Sequence, residues 1–216
     1  MWRRLALTVC ILLVAACAAP SEEPEDFGAS EDALSSTPLR DSDMKKIARP
    51  EGMPAPWEQP ESTGWLEERG KCGPTAVANT LRLYGIEVSP RDADRDGVHW
   101  WIGSRGINVE AYMQEKHPQL GCTLEHPTDG KAFLRKELAA GHPVMVWYNT
   151  EGSFLASHWV TVVGLRGQGD GELAIVMSWG SYYTIPLDKL DAAWRNVYWI
   201  RRPSVVCDVK TTHIAR

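Results

Sequence analysis

The sequence predicts an α+β fold, helices first and an antiparallel sheet afterwards, and three observations predict it. Most helical signals fall within residues 72–140, and three apolar runs of buried-strand type follow between Pro143 and Trp179. Gly167-Gln168-Gly169-Asp170-Gly171 then supplies a hairpin turn between the last two runs. Segregated helices and strands of this kind make an α+β domain, and the ~160 residues after Trp57 are enough for one such domain with a real core.

In chain order, Met1 to Ala16 has Arg3-Arg4, an apolar run from Leu5 and small residues before Cys17, the layout of a secretory leader too short for a comfortable membrane span. Val14-Ala15-Ala16-Cys17 resembles the lipobox of bacterial lipoproteins, which implies that Cys17 is lipidated and becomes the mature N-terminus. Cleavage of an ordinary leader after Ala16 or Ala19 is the alternative. Ala18 at the position after the cysteine, by analogy with Gram-negative lipoproteins, favours the outer membrane or cell surface. Residues 17–56 are rich in Ser, Glu, Asp, Pro and Ala and are predicted to be a disordered acidic tether, because they offer too little apolar surface to offset ordering entropy. Residues 57–216 are the predicted domain.

Lys71-Cys72-Gly73-Pro74-Thr75 opens the first predicted helix, with Pro74 in the first turn, Val77, Leu81 and Tyr84 at i, i+4 and i+7, and Gly85 as the stop. Free N–H groups, the helix dipole and Lys71 are all expected to favour a thiolate at Cys72. Ser89-Pro90 reads as the cap and first turn of another helix. Asp92, Asp94, Asp96 and Gly97 mimic the start of a calcium loop, but its twelfth position is Gly103 where a bidentate Glu belongs, so no metal site is expected. Trp100-Trp101 fits either core packing or the lining of a peptide or sugar groove. Asn108 is expected to cap a helix reaching His117-Pro118, and a further helix is expected from Thr128 to Ala140, stopped by Gly141.

The predicted strands are Pro143–Tyr148, His158–Leu165 and Glu172–Trp179. Ile185-Pro186-Leu187 leads into a helix through Leu190 and Trp194, and Val197-Tyr198-Trp199-Ile200 is expected to close the sheet. The net charge of −5 falls to about −7 once Arg3 and Arg4 leave with the leader, which argues against nucleic acid as a partner. Of five cysteines, Cys10 leaves with the leader and Cys17 would carry lipid. An oxidising compartment allows two of Cys72, Cys122 and Cys207 to pair. A Cys122–Cys207 bond would leave Cys72 free, as a nucleophile requires.

Cys72-Gly73-Pro74-Thr75-Ala76 followed by a helix resembles the nucleophile helix of papain-like cysteine peptidases, in particular the branch related to bacteriocin-processing, double-glycine peptidases. Ser157-His158-Trp159-Val160-Thr161-Val162-Val163-Gly164 looks like that branch's histidine strand, and Ser178-Trp179-Gly180-Ser181-Tyr182-Tyr183-Thr184-Ile185-Pro186-Leu187 like the segment after it. The resemblance covers about the last 150 residues. It implies a papain-like fold, with the nucleophile helix packed on a C-terminal antiparallel sheet and the active site between them.

It also implies that Cys72 attacks a carbonyl carbon while His158 handles the proton, with no cofactor. The third position departs from the pattern. Related enzymes have Asn or Asp around the stretch that here reads Met177-Ser178-Trp179-Gly180, so Ser178 is the available hydrogen-bonding residue. The usual oxyanion glutamine is replaced by Leu66, with Gln59 further upstream. Three functions follow: a tethered cysteine peptidase or amide hydrolase acting on peptides, a catalytically impaired module that binds a peptide or protein, or a cell-wall amidohydrolase.

Overall fold

The structure is a computed structural model that describes residues 36–60, 71–98, 104–151 and 156–215. The leader, Cys17, Leu66 and Trp100-Trp101 lie outside the described residues. Seven strands form one sheet in which every neighbouring pair is antiparallel: β1 (Lys45–Ile47), β6 (Ser181–Pro186), β5 (Leu173–Ser178), β4 (Ser157–Arg166), β3 (Val144–Asn149), β9 (Ser204–Cys207) and β2 (Cys122–Glu125), in that spatial order. Before or between them lie α1 (Cys72–Leu83), α2 (Pro90–Ala93), α3 (Gly106–Lys116), α4 (Gly130–Ala140) and α5 (Leu187–Trp194). The α+β class and the helix-on-sheet arrangement expected from the sequence are those observed.

Strand alternation divides the core between the two faces of the sheet. On one face, Val77 and Leu81 of α1 pack with Met145, Trp147, Trp159 and Val205. On the other, Leu134 and Leu138 of α4 and Leu190 and Trp194 of α5 pack with Val146, Tyr148, Val160, Val162 and Val176. The contact of α1 with β4 also carries a buried polar pair: the Thr161 hydroxyl donates to the Ala76 carbonyl at 3.0 Å and lies 3.1 Å from the Thr80 hydroxyl. Two buried hydroxyls that satisfy each other and a helix carbonyl set the register of helix on strand where apolar contacts alone would let it slide.

Local signals account for the helix ends. Ser89 caps α2 by accepting from the Asp92 N–H at 3.2 Å, and Pro90 fills the first turn. Asp129 caps α4 by accepting from the Ala132 N–H at 3.0 Å, so that helix starts two positions after the expected Thr128, while Gly141 ends it in the left-handed conformation. The helix expected to be capped by Asn108 begins instead at Gly106, whose missing Cβ makes room for the Leu124 side chain.

Two expectations are corrected. The domain does not begin at Trp57, because Leu39 is buried and bridged to Thr150, β1 pairs with β6, and Met53 is buried against Leu83 and Met177. Backbone pairing on a sheet edge, which average composition does not register, holds this acidic stretch. Residues 53–58 then strap α1 to the β5–β6 turn. The Trp57 N–H donates to Asn79 Oδ1 at 2.7 Å, its carbonyl accepts from the Gly180 N–H at 3.0 Å, and the Arg82 guanidinium lies 3.8 Å from the Trp57 ring.

The second correction concerns the sheet edge. Residues 197–200 do not close the sheet, because Tyr198 and Trp199 adopt left-handed turn conformations and fold β7 (Asn196–Val197) onto β8 (Ile200–Arg201) as a separate hairpin. The outer positions are taken by β9 and β2, joined by a disulfide between the paired residues Cys122 and Cys207.

Candidate functional site

Cys72 is the first residue of α1 and a free, buried cysteine. The backbone N–H groups of Trp159, Gly73 and Cys72 lie near enough to its sulfur to favour the charged form. The last two are the unsatisfied donors of a helix start, and the first belongs to β4. The ladder between β4 and β5 explains why Trp159 has an N–H to give: it begins at Thr161↔Met177, so the first residues of β4 have no β5 partner. Cys72 closes that gap. Gly73 permits the approach, since a Cβ there would sit 2.2 Å from the Ser104 side chain. Ser104 in turn accepts from the Trp159 indole N–H through its carbonyl at 2.9 Å.

His158 stands next to Trp159 at the start of the same strand and is buried. Its Nε2 is 2.8 Å from Ser178 Oγ, at the end of β5. Trp179 stacks on the ring at a centroid distance of 4.2 Å with an 18° tilt, and Tyr148 meets it edge-on at 5.9 Å. Three groups therefore fix the imidazole plane. Ser178, the third residue expected from the sequence, is the hydrogen-bond partner of Nε2. Met177, the residue before Ser178, turns to the opposite face and packs with Leu83 and Val163.

The sequence alone does not assign Trp179 and Tyr148 to the surroundings of His158. Their signal was faint: Trp179 follows Ser178 directly and Tyr148 is the strand partner of His158. Trp179 has φ 43°, an uncommon conformation for a bulky residue, and its turn is held by the Gly180 N–H bond to the Trp57 carbonyl.

The electrostatics run against the expected thiolate. Burial pushes the Cys72 thiol up, and the three N–H groups offset this only in part. Burial also pushes His158 down, to about 3. Lys71, expected to support a thiolate, is instead ion-paired with Asp94. Both groups are therefore neutral at neutral pH in this conformation. With Nε2 turned toward Ser178, Nδ1 is the remaining ring nitrogen.

Among the described residues, no group of His, Cys, Asp and Glu side chains could hold a metal ion. Gln59 is half-buried, in the strap that crosses the β5–β6 turn. A groove of about 710 Å³ lined by Arg135, Leu138, Leu165, Arg166 and Ile214 lies at the far end of β4 from Cys72, and no cysteine or histidine lines it. No described helix is long and apolar enough to cross a membrane.

No family profile matches the chain, and no curated protein matches it. Among solved structures, it is similar to that of a candidate C39-like peptidase from Bacillus anthracis, with a TM-score of 0.51 at 15% identity, over 74% of this chain and 96% of that one. At that identity the likeness speaks for the backbone. The fold of this chain is that of a C39-like, papain-like cysteine peptidase.

Proposed function

We propose that the chain is an exported cysteine peptidase or related amide hydrolase that acts on peptides, with Cys72 as nucleophile, His158 as base and Ser178 holding the ring. The observation that supports this reading is a free, buried thiol at the N-terminus of α1, the helix packed on β4, and a histidine at the start of β4 whose Nε2 is engaged by Ser178. If Nε2–H donates to Ser178 Oγ, Nδ1 keeps its lone pair and can act as the base. Because both groups are neutral at rest, the proton moves to Nδ1 as sulfur attacks the carbonyl carbon, not beforehand. The tetrahedral adduct then breaks its C–N bond, the imidazolium proton leaves with the amine, and water hydrolyses the thioester. The amide of Cys72 is a candidate oxyanion donor, assisted by whatever group replaces the usual glutamine.

Hydrolysis of a mixed peptide library by the full chain, read by mass spectrometry, tests this reading. Cys72→Ala and His158→Ala should each abolish turnover, and turnover that survives Cys72→Ala would overturn it. A second reading, a module that binds peptides without cutting them, draws support from the absence of Asn and Asp in Met177-Ser178-Trp179-Gly180 and from the neutral thiol and imidazole. It predicts saturable peptide binding with no product. The cell-wall amidohydrolase differs only in substrate and is decided by including peptidoglycan stem peptides in the library. We further propose that Cys17 is lipidated and holds the domain at the cell envelope. Mass spectrometry of the mature N-terminal peptide decides this, because an unmodified chain beginning at Ala18 or later excludes a lipid anchor.

A further inference from the structure

The β7–β8 hairpin has an unusual tip. Its two turn residues, Tyr198 and Trp199, have φ 49° and 67°. Two-residue turns of this hand suit the twist of a hairpin but are normally given to Asn and Gly, because a bulky side chain in the left-handed region is strained. Such strain persists where the surroundings or a function require the residue. Tyr198 has a packing reason to be there. Its hydroxyl donates to Ser157 Oγ at 3.3 Å, and its ring tilts against Trp147 at 5.4 Å, within the cluster that contains Cys72 and Trp159. Trp199 has none: it is 86% exposed, with Ile200 also exposed beside it.

The peg formed by Tyr198 fixes where Trp199 stands. Ser157 immediately precedes His158, and Trp147 stacks on Trp159, whose backbone N–H meets the Cys72 sulfur. The hairpin tip is therefore mounted on the same side of the sheet as the thiol, at the end of β4 where the thiol sits. An extended peptide advances about 3.3 Å per residue, so a few residues reach from one to the other. Arg195 and Arg201, both exposed, flank the hairpin in a chain whose net charge is −5.

We infer that this hairpin is a specificity-determining subsite, in which Trp199 receives an aromatic side chain of the peptide and Arg195 and Arg201 favour a neighbouring carboxylate. The inference rests on the peptidase reading and supplies its substrate class: acidic peptides carrying an aromatic residue a few positions from the bond cut. Stacking on Trp199 is expected to be worth roughly fivefold to tenfold in rate. The carboxylate preference should weaken with salt, as expected for exposed charges.

The test uses the full chain and a set of short peptidyl chloroacetamides. Each places Phe two, three or four residues from the warhead with Asp beside it, matched to Ala and Asn controls, and every rate is divided by the same variant's rate with iodoacetamide. At one position Phe should label Cys72 about five to ten times faster than Ala, Trp199→Ala should reduce that ratio to near one, and Arg195→Gln with Arg201→Gln should remove the Asp preference. Trp199→Gly separates recognition from folding. It relieves the left-handed strain and should raise Tm while losing the Phe preference, whereas a structural Trp199 would make both variants less stable. A Phe to Ala ratio that Trp199→Ala leaves unchanged, or that is near one at every position, overturns the subsite alone. Loss of the parent reading shows differently, as peptidyl labelling of Cys72 that His158→Ala does not slow.

Discussion

His158 is buried with a stacked tryptophan on one side and a serine hydroxyl at Nε2, which makes it reluctant to accept a proton in the folded state. The unfolded chain has no such reluctance, and its histidine protonates near pH 6.5. Between that value and about 3 the unfolded state binds more protons, so stability present above pH 6.5 is lost as pH falls, at up to about 1.4 kcal/mol per pH unit. Urea unfolding at pH 6.5 and pH 5 should show His158→Asn losing about 2 kcal/mol less than wild type over that interval. Equal losses would mean that the ring is not buried in solution. Ser178→Ala strands Nε2 in the interior and should cost about 1–3 kcal/mol in the same assay. Ser178→Asp places a carboxylate against the ring, raises its proton affinity, and should speed peptide turnover and move the acid limb of its pH profile. An unmoved limb would take Ser178 out of the site. Cys72, His158 and Ser178 were all legible in short motifs. Their charge state was not, because it depends on Tyr148 and Trp179, brought to the ring by strand pairing and a strained turn.

At the scale of elements, α1 places the thiol only because its second residue has no side chain. In Gly73→Ala, Cβ would meet Ser104 Cβ and Oγ at 2.2 Å, contacts that the neighbour cannot yield without moving its own backbone. The expected cost is about 1–3 kcal/mol, with Cys72 displaced from the Trp159 N–H. Thermal unfolding reads the first effect and the rate of Cys72 alkylation the second. Elements with their own signals could be read in advance: α1 by its period and Gly85, α4 by Asp129 and Gly141, β3 and β4 by continuous apolar runs. The strands β1, β2, β6 and β9 could not, because none has the long continuous buried run of β3 or β4 and each is defined by the neighbour it pairs with. Tyr198 and Trp199 misled for the opposite reason. They belong to residue types that favour strands, yet here they occupy the turn of a hairpin.

At the scale of the whole molecule, both edges of the sheet are held by segments distant in the chain. Cys122 and Cys207 are 85 residues apart and tie the two outermost strands on that edge of the sheet. Replacing both with Ser should cost about 2–5 kcal/mol, read as a lowered urea midpoint relative to the oxidised chain. A chain beginning at Trp57 would lack Leu39 and β1, and should unfold less cooperatively than one beginning at Ser36; identical transitions would make the upstream packing dispensable. That packing also bears on distance. Ser36 Oγ accepts from the Asn149 amide, which also donates to the Asn196 carbonyl, and Asn149 pairs with Ser157. The described polypeptide thus begins beside the strand end that carries Ser157 and His158, and about 19 residues separate Ser36 from Cys17, the proposed site of the lipid. A leash starting at Trp57 would be twice as long. At full stretch it pays out roughly 65 Å in place of about 140 Å. If Cys17 is acylated and the domain cuts peptides, as proposed, it would work a shallow zone above the bilayer, on polypeptides that themselves lie near the surface.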